Sequence, residues 1–126
     1  MLPKIFRLHQ DKEIKDLVKN GQSFFLPQLV IKYKKNQEGP SRFAFVVSTK
    51  VDKRAVIRNR LQRQMREIVR IALPKLKTGY VVLIIAKKSA LELDFSTLGR
   101  QLDFAFKKIS LYNQGQNDKK TSFKTN

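Results

Sequence analysis

The chain has 126 residues, 41% of them hydrophobic, with 27 lysines and arginines against 10 acids, a formal charge of +17 and no cysteine. That is enough chain and apolar content for one compact domain with a core, and too much of both for a disordered polyelectrolyte. Composition excludes a disulfide frame and a thiolate metal site, and no apolar run approaches the roughly 18 to 20 residues that span a bilayer. A positive excess of this size repels itself, and a polyanionic partner explains its retention; nucleic acid leads, and an anionic membrane surface comes second. The apolar part of the opening "MLPKIFRLHQ" is too short for a secretion signal, so a reducing cytoplasm is the expected location.

The segment "DKEIKDLVKNG" predicts a helix over 11–21. Asp11 caps it, Ile14, Leu17 and Val18 form its apolar stripe, and Gly21 stops it. Pro27 then divides a short strand at 22–25 from a longer one at 28–34. In the longer strand Leu29, Ile31 and Tyr33 share one face, and Val30, Lys32 and Lys34 the other. "NQEGPS" is a turn, followed by a strand at 42–50 with Phe43, Phe45 and Val47 on one face and Ala44, Val46, Ser48 and Lys50 on the other. A helix over 55–70 is expected next, opened by Asp52 as N-cap and closed before Pro74. "GYVVLIIA" at 79–86 is apolar throughout, the pattern of a central strand. A last helix at 95–112 repeats Leu98, Leu102, Ala105, Phe106 and Ile109 at helical spacing. Residues 1–112 are therefore read as one domain, with a basic, disordered tail at 113–126. The order helix, strands, helix, strand, helix predicts an α/β (α+β) two-layer sandwich in which strands 42–50 and 79–86 are parallel partners of a βαβ unit.

The helix at 55–70, "AVIRNRLQRQMREIVR", carries the function. On a helical projection Ile57, Leu61, Met65, Ile68 and Ala72 fall in one arc of roughly 80°, bordered by Val69. Asn59, Arg60, Arg63, Arg66 and Arg70 fall in a separate arc roughly opposite, with Arg58 at the edge of the apolar stripe. Lys50, Lys53 and Arg54 extend the positive field into the preceding turn, where the helix N-terminus adds its partial charge. Ordinary solvated helix faces mix signs; here Glu67 is the one acid between 53 and 70. Arginine's planar fork grips phosphate bidentately and stacks on bases, which lysine does poorly.

A protein nuclease needs a general base, an acid, or carboxylates that hold metal ions. The chain has one histidine, His9, and scattered acids that caps and surface pairs explain, so no catalytic residue and no metal ligand set is expected in the protein. Where strand faces adjoin, Val30, Lys32 and Lys34 with Ala44, Val46, Ser48 and Lys50 make an apolar floor with cationic edges, able to hold a flexible single strand. A helix covering that face is the competing reading. Phe24 and Phe25 are candidates for base stacking, with core packing expected for at least one.

"AVIRNRLQRQMRE" resembles the signature of the protein subunit of bacterial ribonuclease P: Arg58, Asn59 and Arg60 match its Arg-Asn-Arg triplet, and Arg63, Arg66 and Glu67 the later positions. Arg7 and Leu8, the short helix ending at Gly21, "RFAFVVSTK" and "GYVVLIIAKKSA" follow in that family's order over roughly residues 7–110. Gln62 stands where the family often has lysine, and Ile14 and Val18 where it often has aromatics. The resemblance implies a left-handed crossover between the parallel strands. It implies a catalytic ribonuclease P RNA as partner, bound through the arginine helix in one protein copy per RNA. It further implies a groove, lined by Ile14 and Val18 among others, for the 5′ leader of precursor tRNA, with Mg²⁺ held by the RNA. A structural RNA-binding protein of the ribosome is the alternative. A DNA-binding regulator is disfavoured, because no second helix stands close before residue 54.

Overall fold

The computed structural model describes residues 11–35 and 39–112, with side chains from residue 14 onward. Arg7, Leu8, His9 and the 113–126 tail lie outside the described residues. Helix α1 spans Asp11–Asn20, and strands β1, β2 and β3 span Gln22–Phe25, Leu29–Lys35 and Arg42–Val46. Helix α2 spans Ala55–Ala72, strand β4 Tyr80–Ala86 and helix α3 Phe95–Lys108. The sheet runs in the order β1-β2-β4-β3. β2 is antiparallel to both β1 and β4, while β3 lies parallel to β4, so β3, α2 and β4 are the βαβ unit expected from the sequence.

β4 is apolar on both faces because both faces are used. Val82, Ile84 and Ala86 join Leu29, Ile31 and Phe43 beneath α2 and α3, in the main core. Val81 and Leu83 face the other way and pack against Leu17 of α1. α2 and α3 thus form one layer and the sheet a second, with α1 lying across part of the sheet's remaining face. α2 buries Leu61, Met65 and Val69, each worth about 2 kcal/mol of apolar transfer. Val69, at the border of the expected stripe, is fully buried, while Ile57 and Ile68, expected within it, are only half-buried. The helix is therefore rolled toward the ridge of every fourth residue, the row that packs between neighbouring ridges.

Three boundaries differ from the sequence reading, and a fourth holds for a different reason. β3 ends at Val46 rather than reaching Lys50: the Ser48 carbonyl accepts from Val51 N–H at 3.0 Å and the Ser48 hydroxyl from Lys50 N–H at 3.3 Å, which turns the chain. The N-cap of α2 is Arg54, not Asp52; Asp52 stands two residues earlier and accepts Arg54 N–H at 2.8 Å, closing an Asx turn. α3 ends at Lys108 because Ser110 takes a left-handed φ of 61°. Leu111 N–H then donates to Phe106 C=O at 2.8 Å and Ser110 N–H to Lys107 C=O at 3.1 Å, a Schellman stop. Gly21 does stop α1, but through crowding: its N–H donates to Leu17 C=O at 2.8 Å, and a Cβ there would stand 2.5 Å from that oxygen.

Ser41 is the one buried polar residue among those described. Its hydroxyl donates to Lys77 C=O at 2.7 Å and accepts Tyr80 N–H at 3.0 Å, bolting the start of β3 to the start of β4. That contact fixes the register in which Val46 meets Ile85 and Ala44 meets Leu83, and the register lays out the groove floor.

Candidate nucleic-acid interface

The outward face of α2 sorts its cations by what holds them. Asn59, Arg60 and Arg63 are exposed, and the two arginines make no hydrogen bond or ion pair with any described residue. Their guanidinium groups are free to meet phosphate. Arg66 is half-buried and its Nη2 donates to Gln62 Oε1 at 3.3 Å, while Gln62 Nε2 donates to Phe45 C=O at 3.3 Å. Gln62 thereby ties Arg66 to the backbone of β3. A lysine at 62 has no acceptor to offer Arg66.

Three predicted binding residues are differently placed. Arg54 is clamped by Asp52, with Nε–Oδ1 3.0 Å and Nη2–Oδ2 2.9 Å. Arg70 is clamped by Glu67, with Nε–Oε1 3.0 Å and a second short contact from Nη2. Both charges are compensated by carboxylates of the chain itself. Arg58 turns back beneath the helix start, where its Nη1 donates to the carbonyls of Asp52 and Lys53 at 3.0 and 2.9 Å. It braces the turn that carries Lys50 and Lys53, which are themselves exposed.

The bidentate hydrogen bonding from Arg54 holds the Asp52 carboxyl at about 2, below its ordinary value of 3.8. A depressed carboxylate stabilises the fold above its ordinary titration range, and that contribution is lost as pH falls from near 4 toward 2. At neutral pH the pair is intact and Arg54 stays compensated. An NMR titration should place the Asp52 carboxyl midpoint near 2, and Arg54→Ala should return it toward 3.8; a midpoint unmoved by the substitution would remove the clamp from the account.

The groove lies on the sheet face that α1 only partly covers. Cross-strand register places Val30, Ile85 and Val46 in one row, and Lys32, Leu83 and Ala44 in the next. The first row is half-buried; the second lies beside Leu17. Ile14 is half-buried against this floor, and Val18 on α1 is 48% exposed. Lys32 donates to Ser23 Oγ at 2.8 Å. Lys34 is held by Asp16 at 2.9 Å, which links β2 to α1 and keeps the Asp16 carboxyl below its ordinary value, first through that hydrogen bond. Ser48 leaves the floor, since it stands in the turn beyond β3. Ile85 was missed as a groove residue, and Phe25, expected only as one of two candidates for base stacking, was not assigned to the groove. Both belong to rows that only the register reveals, and strand alternation alone does not say which of Phe24 and Phe25 points outward. Phe24 packs on the core and meets Phe104 with ring centroids 6.2 Å apart, while Phe25 is 69% exposed.

The arrangement offers an exposed cationic helix face beside a partly covered apolar sheet face. Among the described residues no group of three His, Cys, Asp or Glu side chains could hold a metal ion, and no helix is long and apolar enough to cross a membrane. A cleft of about 210 Å³ between α3 and the end of α2 holds one carboxylate, Asp103. Asp103 accepts from the Tyr112 hydroxyl and pairs with Lys107 at 3.2 Å, while burial, then Asp103, pushes Tyr112 far above its ordinary value.

Residues 2–110 match the family model described as Ribonuclease P. The chain belongs to the ribonuclease P protein family. The ribonuclease P protein component of Symbiobacterium thermophilum is 32% identical over 111 residues, covering 87% of this chain and 96% of that protein. The ribonuclease P protein of Thermotoga maritima superposes with a TM-score of 0.74 at 29% identity, covering 81% of this chain and 96% of that one. The Staphylococcus aureus protein shares the fold, with a TM-score of 0.79 at 23% identity over 87% of this chain and all of that one. As a ribonuclease P protein component the chain is a subunit of an endoribonuclease of tRNA processing, partnered with an RNA subunit. The ribonuclease P triplet, Arg58–Asn59–Arg60, is thus divided in labour: Arg58 braces the helix start, while Asn59 and Arg60 face outward.

Proposed function

We propose that α2 docks on the catalytic RNA of ribonuclease P while the sheet groove takes the single-stranded 5′ leader of precursor tRNA. The observation that carries this reading is the pair of exposed guanidiniums of Arg60 and Arg63, uncompensated among the described residues, on a helix whose other side is locked into the core. Hydrolysis then belongs to the RNA and its Mg²⁺ ions, and the protein supplies affinity and position. The half-buried apolar row Val30–Ile85–Val46, edged by Lys32, suits a flexible strand read by shape and stacking more than by base edges. One protein copy per RNA and a cytoplasmic location complete the proposal.

The test is reconstitution. Full-length protein, a bacterial ribonuclease P RNA and precursor tRNA are mixed at Mg²⁺ too low for the RNA alone, and matured 5′ ends are counted. Restored cleavage supports the proposal. A structural RNA-binding protein of the ribosome would bind RNA and leave the precursor uncut.

A further inference from the structure

Among the described residues Phe25 is the most exposed of the large aromatic side chains, at 69%, and it is absent from both packed clusters. Core packing therefore does not explain it, and an aromatic ring left in water loses its apolar burial for no structural return. Its position in the sheet is specific. Phe25 pairs with Val30, which pairs with Ile85, which pairs with Val46. Directly paired residues point to the same face, so the four side chains form one apolar row across all four strands, and Phe25 is its outer end. β1 is the edge strand, so nothing in the sheet lies beyond it.

Two ammonium groups are anchored on residues that flank Phe25 along the chain. Lys32 Nζ donates to Ser23 Oγ at 2.8 Å, two residues before Phe25. Lys87 Nζ donates to Leu26 C=O at 3.0 Å, one residue after it. Among the described residues neither lysine pairs with a carboxylate, so both charges face a ligand uncompensated. Both are anchored by neutral oxygens, which fixes where they stand without cancelling them. An exposed apolar ring with an anchored cation on each side of it along the chain complements one chemistry in particular: a base flanked by its two phosphates.

We propose that Phe25 is a base-stacking residue at the outer end of the groove, holding one nucleotide of a single-stranded RNA between Lys32 and Lys87. The inference rests on the groove reading above and extends it, by naming the position where a base is gripped and the strand edge over which the RNA leaves the sheet.

The experiment uses the reconstituted holoenzyme and two precursors, one with a leader of about ten nucleotides and one trimmed to a single nucleotide. Phe25→Ala is expected to weaken binding of the long-leader precursor about tenfold, the size of one lost stack, and to leave the trimmed precursor unchanged. Phe25→Trp should restore binding, and a fluorescent adenine analogue walked along the leader should lose its quenching at one position only in Phe25→Ala. Val46→Glu, in the same row, separates the proposal from its foundation. If Val46→Glu weakens the long-leader precursor and Phe25→Ala does not, the stacking role is overturned while the groove stands. If neither variant distinguishes the two precursors, the groove reading falls and Phe25 with it. A change of sedimentation behaviour in Phe25→Ala, with leader binding intact, would make the ring a self-association contact and also overturn the proposal.

Discussion

Alanine at Arg60 and Arg63 together is expected to weaken binding of the catalytic RNA on the order of 100-fold, from about 1.5 kcal/mol at each charge-assisted contact. The fold should be untouched, because both side chains are exposed and without partners among the described residues, and alanine is the better helix former. Affinity measured against salt should also change slope. Each neutralised phosphate contributes roughly 0.7 to 0.9 to the logarithmic dependence, so losing two flattens it by about 1.5. Removing Arg54 and Arg70 instead should cost less than about tenfold, since each must leave a carboxylate before it can meet a phosphate. Equal losses from the two pairs would show that the carboxylate clamps do not persist against RNA. An unchanged affinity in the Arg60 and Arg63 variant would move the RNA off this face altogether.

The second large effect is on the scaffold. Gly21→Ala is expected to destabilise the protein by about 2 kcal/mol, which lowers the melting temperature by roughly 7 °C in a domain of this size. The added methyl would sit 2.5 Å from Leu17 O, 2.6 Å from Leu17 Cδ1 and 3.2 Å from Tyr33 O. Two of those atoms are backbone and cannot step aside. The relief is to lift α1 from β2, which loosens the Lys34–Asp16 link and shifts Ile14 and Val18 at the groove wall. Calorimetry checks the stability, and leader-dependent affinity should fall in the same variant. A melting temperature within a degree of the parent would mean that the α1–β1 corner yields more easily than its contacts suggest.

The elements themselves were legible because their hydrophobic periods are strong. The period-2 pattern of β2 separated Leu29 and Ile31 from Val30 and Lys32, and the structure places the two sets on opposite faces. The unbroken apolar run of β4 announced a strand used from both sides. The arginine arc of α2 was equally readable, because helix geometry alone separates it from Leu61 and Met65. What escaped was decided by partners distant in the chain or by turn geometry. Spacing shows that Arg70 stands near Glu67, but not whether the pair closes; Arg58 finds carbonyls that exist only once the turn at 52–53 has formed. Ser48 looked like a strand residue until its hydroxyl met the Lys50 amide. Phe25 and Ile85 entered the groove through register, which Ser41 sets by joining two segments 36 and 39 residues apart.

Strand β4 faces two ways: Val82 and Ile84 serve the interior, while on the other face Leu83 is buried against Leu17 of α1 and Ile85 belongs to the surface that would meet RNA. A substitution in the middle of that surface is thus also a substitution in the scaffold, and its tolerance is capped by packing. Only the margins, such as Phe25 and the lysines beside it, can vary without threatening the structure. Differences in leader preference between relatives should therefore accumulate along the rim of the sheet, with its centre held nearly constant.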